Sequence, residues 1–336
     1  MHGKRITRRN FLISGVAGAA ALALGCSAWP RSRRMAGLNT AYPIPRRRIG
    51  KTGLQASILG CGSHISEEVM KIQGERERQI RYALDSGINF FDIYRQPGPQ
   101  YEVMSKVLRA AGDDVIISLM NPGSLVELEK ILKIFRRDRI DMVRFYSRGK
   151  LNPVPEKDYA EMMKAKEQGK LGAIGVSAHY EEELAYEFER RALDFALVIY
   201  NFHEDRRGYQ RLVPMARKQG AALIAMKPFG CGSLIQFAGN VRARKEFRDI
   251  PEVTLPAAAL HYIYQNPDIT MTIPSMYSLP EFKENVKALQ KTDLSAEEET
   301  LLRRVSAAAG PSHCIYPKFE KELDEYLKDI KLKEQL

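Results

Sequence analysis

Ala83-Leu84-Asp85-Ser86-Gly87-Ile88-Asn89-Phe90-Phe91-Asp92-Ile93 changes character at its centre. Up to Gly87, the stretch from Glu75 to Ser86 has the apolar spacing of an amphipathic helix. Gly87 stands where such a helix ends on a left-handed residue. Beyond it, Asn89–Ile93 is a short apolar run that reads as a buried strand, and it delivers one carboxylate, Asp92, near its C-terminal end.

The unit repeats along the chain. Apolar runs recur at Ser57–Leu59, Val115–Leu119, Met142–Tyr146, Ala173–Ser177, Ala196–Tyr200, Ala222–Met226 and Thr270–Ile273. Helix-like stretches stand between most of them, at Leu125–Phe135, Lys157–Gln168, Glu181–Ala192 and Tyr209–Gln219, and Gly169 and Gly220 follow two of these as Gly87 follows the first. Strands that alternate with helices imply a parallel sheet. Eight repeats over about 260 residues fit a closed (β/α)8 TIM barrel better than an open sheet. An open dinucleotide-binding sheet would also show GxGxxG after its first strand. Here that segment is Leu59-Gly60-Cys61-Gly62-Ser63-His64, with no third glycine, and Gly60 and Gly62 read as turn glycines. Arg47–Ala56 reads as a hairpin turning at Lys51–Gly53 that could plug the barrel floor. Ala296–Ala309 and Phe319–Leu332 read as two C-terminal helices. The expected order is a signal segment (1–28), a linker (29–45), the α/β barrel (46–292) and a helical tail (293–336).

The net charge of +11 is concentrated at one end. Residues 1–48 hold ten Lys/Arg and no acid, which leaves 42 basic against 41 acidic residues elsewhere. A nearly neutral body is a poor electrostatic trap for nucleic acid, and that class is set aside. Thr7-Arg8-Arg9-Asn10-Phe11-Leu12, followed by an Ala/Gly-rich apolar stretch to Gly25, resembles a twin-arginine export signal and is too short to span a bilayer. The resemblance implies the twin-arginine translocase as a partner and an exported, periplasmic or cell-envelope protein. Leu24-Gly25-Cys26 partly resembles a lipobox, so contact with the membrane would come only through the signal or a lipid on Cys26. Cys61, Cys231 and Cys314 are widely separated and suggest neither a disulfide framework nor a metal site. Cys61 and Cys231 read as buried thiols.

Several stretches together resemble the aldo-keto reductases, in that family's order, from residue 46 to about 290: Arg48–Leu54, Ala83–Asp92, Gly169–Ser177, Tyr200-Asn201, Ile224–Gly230 and Ile273–Asn285. The resemblance implies a (β/α)8 barrel that reduces carbonyls with NADP(H), with its site at the C-terminal ends of the strands. It implies cofactor contacts at Ser177, Pro228, Phe229, Gly230, Ser275, Ser278, Glu284 and Asn285. It also implies a small-molecule carbonyl or sugar-like ligand. The family's acid–base set is a tyrosine, a lysine paired to an aspartate, and a histidine. Asp92 matches the aspartate, while Pro97, Met120 and Tyr146 stand at the other three positions. Ala178 and Leu197 replace an asparagine and a glutamine that hold the nicotinamide. Some exported relatives carry a C-terminal four-cysteine iron–sulfur segment. Gly310–Pro317 offers only His313 and Cys314, too few for a cluster.

Asp92 without that lysine would be a buried carboxylate in need of a counter-charge. Alternation along a strand points Arg144 the same way as Tyr146, into the barrel, one strand beyond Asp92's neighbour. Arg144 is therefore expected either to pair with Asp92 or to find a partner elsewhere at the rim. Tyr146, Tyr94 and Tyr101 are candidate acids, provided a cation such as Arg144 or Arg95 depresses the phenol; otherwise Tyr94 and Tyr146 only fill the pocket. His64 and Lys227 stand at strand ends, and His179 is expected to start a helix. Two functions remain open: an exported carbonyl/alcohol oxidoreductase with an unusual site, or an inactive barrel retained as an exported ligand- or nucleotide-binding protein.

Overall fold

A computed structural model describes residues 44–63, 70, 74–94, 99–203, 209–230 and 255–309. The signal segment with Cys26, the linker up to residue 43, His64, Arg95, Pro97, Cys231 and the tail from residue 310 lie outside the described residues. A two-stranded antiparallel hairpin opens the fold: β1 (Arg46–Arg48) pairs with β2 (Gln55–Ser57). Gly53, at φ 81°, makes the left-handed turn between them. Ile49 and Ala56 from this hairpin are fully buried in the inner cluster of the barrel, and the N–H of Lys51 donates to Gly220 O at 2.8 Å. Gly220 precedes a barrel strand, so the hairpin closes the N-terminal end.

Eight parallel strands then run in chain order: β3 (Cys61–Gly62), β4 (Phe90–Ile93), β5 (Ile116–Met120), β6 (Ile140–Tyr146), β7 (Leu171–Ser177), β8 (Phe195–Ile199), β9 (Ala222–Met226) and β10 (Ile269–Thr272). Parallel bridges Leu59–Thr272 and Gly62–Ser275 join the first to the last and close the barrel. Two expectations need correction here. Ser57 ends the hairpin, so the barrel's first strand begins beyond the Ser57–Leu59 run. Gly60 and Gly62 are seam residues rather than turn residues. A Cβ on Gly62 would lie 2.9 Å from the carbonyl oxygens of Ile273 and Pro274, and one on Gly60 would lie 2.6 Å from Met271 Cε. Gly62 is needed because the two strand backbones meet closely there, and Gly60 because core side chains fill the space beside it.

Helices surround the sheet: α1 (Glu75–Asp85), α2 (Gln100–Leu108), α3 (Leu125–Phe135), α4 (Glu156–Glu167), α5 (Glu181–Arg190), α6 (Leu212–Gln219), α7 (Leu255–Tyr264), α8 (Leu279–Ala288) and α9 (Ala296–Ala309). Gly87, Gly169 and Gly220 do stand at positive φ just past α1, α4 and α6. The apolar spacing does not single out α7, which is buried at eight of its ten positions and so shows no one-sided stripe. His179 precedes α5 by two residues rather than starting it.

Alternation sorts the strand side chains into two layers. Phe90, Ile116, Met142, Ala173, Phe195 and Ile224 fill the barrel interior. Phe91, Ile117, Val143, Ile174, Ala196 and Leu223 face the helices. The interior is packed, and the ring of Phe195 occupies the space that a side chain on Gly175 would need. Polar inward residues are thereby concentrated at the C-terminal mouth.

Candidate active site

Asp92 leaves β4 on the inward face, in register with Ser118 of β5. Its backbone is pinned from the neighbouring strand: Ser63 Oγ donates to Asp92 O at 2.7 Å and accepts the N–H of Tyr94 at 2.8 Å. Ser63 O in turn accepts from Gln100 Nε2 of α2 at 3.0 Å. The carboxylate is held through both oxygens. Ser118 Oγ donates to Oδ1 at 2.9 Å, and Arg144 Nη2 donates to Oδ2 at 2.9 Å. Arg144 lies two strands away, level with Met120, and its length covers the offset.

Both side chains are buried, Arg144 completely. Burial pushes the carboxyl of Asp92 up, while Arg144 and Ser118 pull it back down. Burial works against the charge of Arg144, but Asp92 and then Tyr94 outweigh it and hold the guanidinium firmly protonated. The ring of Tyr94 covers the guanidinium, 4.8 Å from its centre. Arg144 Nε and Nη1 are buried with no hydrogen-bond partner. A buried ion pair roofed by an aromatic ring thus forms the floor of the mouth.

Tyr146 stands above that floor at the end of β6, with 40% of its surface exposed. Its hydroxyl is held above the ordinary phenol range, by burial first and then by Glu183, with Arg148 acting in the opposite sense. Tyr146 therefore stays protonated, as a hydrogen-bond donor rather than an activated acid. Its ring meets His179 edge-on, with centroids 5.9 Å apart. Tyr101, the third candidate, is buried in the layer between sheet and helices, with its ring edge-on to Phe135.

The residues expected to hold a cofactor lie at or beyond the ends of β7, β9 and β10 and in α8. Ser177 ends β7, and its hydroxyl donates to Phe145 O at 3.1 Å. Pro228, Phe229 and Gly230 form a buried turn after β9, in which Gly230 N–H donates to Lys227 O at 3.1 Å. Ser275 bridges to the barrel seam at Gly62. Ser278 caps α8, accepting the N–H of Glu281. Glu284 and Asn285 lie inside α8 rather than in a loop, and Asn285 is buried. The positive end of the ten-residue α8, with Ser278 at its cap and Ser275 shortly before it, is of a kind that suits a phosphate-bearing cofactor.

Three features were not singled out from the sequence. Ser118 could have been found by counting back two residues from Met120 on the same strand face. Arg76 of α1 is buried and reaches Gly62 O and Met276 O, each at 3.4 Å, clamping the barrel seam from outside. Lys227 Nζ lies 3.1 Å from His179 Nε2, a meeting across 48 residues that no local pattern announces. Among the described residues no group of His, Cys, Asp and Glu could hold a metal ion.

A barrel of this topology, with polar inward residues gathered at its C-terminal mouth, is a (β/α)8 scaffold of the kind that carries its chemistry at that end. The model of the Aldo/keto reductase family matches residues 66–307, and the chain belongs to that family. L-galactose dehydrogenase of Arabidopsis thaliana is 22% identical over 303 residues, covering 80% of this chain and 95% of that protein. Among solved structures, an aldo-keto reductase of Bacillus halodurans superposes in its apo form with a TM-score of 0.61 at 19% identity, and in its holo form with 0.60 at 18%. Each covers 78% of this chain and 96% of the other, and the likeness is one of fold.

Proposed function

We propose that this chain is an exported oxidoreductase that interconverts a small-molecule carbonyl, or a sugar-like ligand, with its alcohol using NADP(H), and that its acid–base set departs from the family's pattern. The Asp92–Arg144 pair carries this reading. Two opposite charges kept fully buried at the reactive end of a barrel supply a fixed local field where charge develops on a carbonyl oxygen. The name of the plant relative, a sugar dehydrogenase, supports including sugar-like ligands.

When bound, the nicotinamide would supply hydride. Ser177 would hold its ring half, and the Pro228–Gly230 turn, Ser275, Ser278, Glu284 and Asn285 its phosphate half. Tyr146 would donate a hydrogen bond to the carbonyl oxygen. Arg144, fixed by Asp92 and covered by Tyr94, would stabilise negative charge developing above it, while Met120 and Leu197 keep water from the reacting atoms.

A second reading, a binding barrel without turnover, is favoured by the raised phenol of Tyr146, which makes it a poor substitute for the family's activated tyrosine. Titration of purified protein with NADPH, followed by an aldehyde and aldose panel on wild type beside Tyr146→Phe, separates the two. Micromolar binding with turnover that drops at least about 10-fold in Y146F supports the first reading. Absence of NADPH binding removes the hydride source and ends it, while binding without turnover leaves the second. Export rests on Arg8-Arg9. The doubly substituted Arg8→Lys/Arg9→Lys chain should stay in the cytoplasmic fraction, and unchanged fractionation would refute it.

A further inference from the structure

Lys227 adopts a conformation that its residue type resists. Its φ is 57°, and among the described non-glycine residues only Arg136 and Tyr209 also have a positive φ. Arg136 caps α3, an ordinary place for a left-handed residue. Lys227 instead follows the last residue of β9 at the barrel mouth. The strained backbone is pinned from both sides. Asn201 Nδ2, fully buried, donates to Lys227 O at 3.1 Å, and Gly230 N–H donates to the same oxygen at 3.1 Å. Strain held in place this firmly is most often found where a side chain must be aimed.

The aim is at His179, whose Nε2 lies 3.1 Å from Lys227 Nζ. His179 is itself fixed: its backbone N–H donates to Glu183 Oε2 at 3.1 Å, and its ring stands edge-on to Tyr146. A lysine, a histidine and a tyrosine, from three different strand ends, thus meet at one rim. We propose that the Lys227–His179 couple is the proton donor and acceptor of this site, with Tyr146 orienting the substrate oxygen. The assignment rests on the reductase reading above.

The chemistry follows from charge. Two cations 3.1 Å apart repel strongly, so the couple holds one proton beyond the neutral pair and not two. Among the described residues the groups around it include Glu183, whose carboxylate accepts the backbone N–H of His179, Tyr146 beside the ring, and Arg148 and Tyr94 near Tyr146. In the reductive direction a bound dihydronicotinamide would supply the hydride and both electrons, the carbonyl π bond breaking as the C–H bond forms. An O–H bond forms as one N–H bond of the couple breaks, and bulk water returns the proton.

Two measurements test this. The first needs no cofactor: an NMR titration of His179, assigned with His179→Gln. In Lys227→Met the midpoint should rise by at least half a pH unit, because the neighbouring cation is gone. An unchanged midpoint overturns the couple. The second uses Lys227→Gly, which accepts the positive φ and so should fold. NADPH affinity should stay within twofold while kcat falls about 100-fold, and the limb of the pH profile that wild type shows should disappear. If NADPH binds and K227G turns over like wild type, the proton-donor role is overturned while the reductase reading stands. If wild type binds no NADPH, both fall.

Discussion

Replacing Arg144 with methionine keeps the volume at the barrel mouth but leaves the Asp92 carboxylate, 2% exposed, with Ser118 as its remaining side-chain partner. At a separation near 3 Å the lost attraction is about 5 kcal/mol for an effective dielectric of about 20. Measured losses on removing one member of a buried pair are about 3–5 kcal/mol. Against a typical total stability of about 5–15 kcal/mol, that change is large enough to read by urea unfolding followed by circular dichroism. Asp92→Leu should cost a similar amount, by stranding the guanidinium. The double variant Asp92→Leu/Arg144→Met should come within about 1–2 kcal/mol of wild type, because two apolar residues need no partner.

The pH dependence has a definite sign. Burial already raises the carboxyl of Asp92 in the folded protein, and Arg144 is the main influence lowering it. Without Arg144 the folded-state value rises further. A raised value favours the native state below the unfolded carboxylate range and loses that contribution as pH climbs through the folded value. The deficit of R144M should therefore be larger at pH 8 than at pH 5. A cost below about 1 kcal/mol, or a double variant whose cost equals the sum of the singles, would refute the view that the two charges sustain each other.

Gly175→Ala sets a methyl group 2.6 Å from the ring of Phe195 and should destabilise by about 1–3 kcal/mol in the same assay. A neutral result would mean the barrel interior is looser than it looks. At α9, burial opposes the charge of Glu298, but the N–H of Ser295 and then His261 outweigh it and depress its carboxyl. Its contribution is thus present above the unfolded carboxylate value and is lost as pH falls through the lower folded one. Glu298→Gln should cost about 1 kcal/mol at pH 7 and flatten the acid limb of the stability profile, and an unchanged limb would place the acid sensitivity elsewhere.

Strand and helix placement was largely written in local spacing. The run Ala222–Met226 is β9 to the residue, and Leu125–Phe135 is α3, because periods of two and of 3.6 are properties of neighbours along the chain. Alternation also placed Arg144 on the inward face, two strands from a carboxylate that needed it. Spacing misjudged Gly60 and Gly62, since a glycine that lets two backbones meet at a barrel seam looks the same in sequence as one that makes a turn. Helix α7, apolar all round, gave no stripe to read. Residue types and periodicity alone were enough to fix a barrel with a carboxylate at its mouth. Which rim side chains touch was decided by strand pairing, which sets Tyr146 opposite Ser177 and so beside His179, and by the tertiary structure that brings Lys227 to His179 across 48 residues, a separation no local pattern spans.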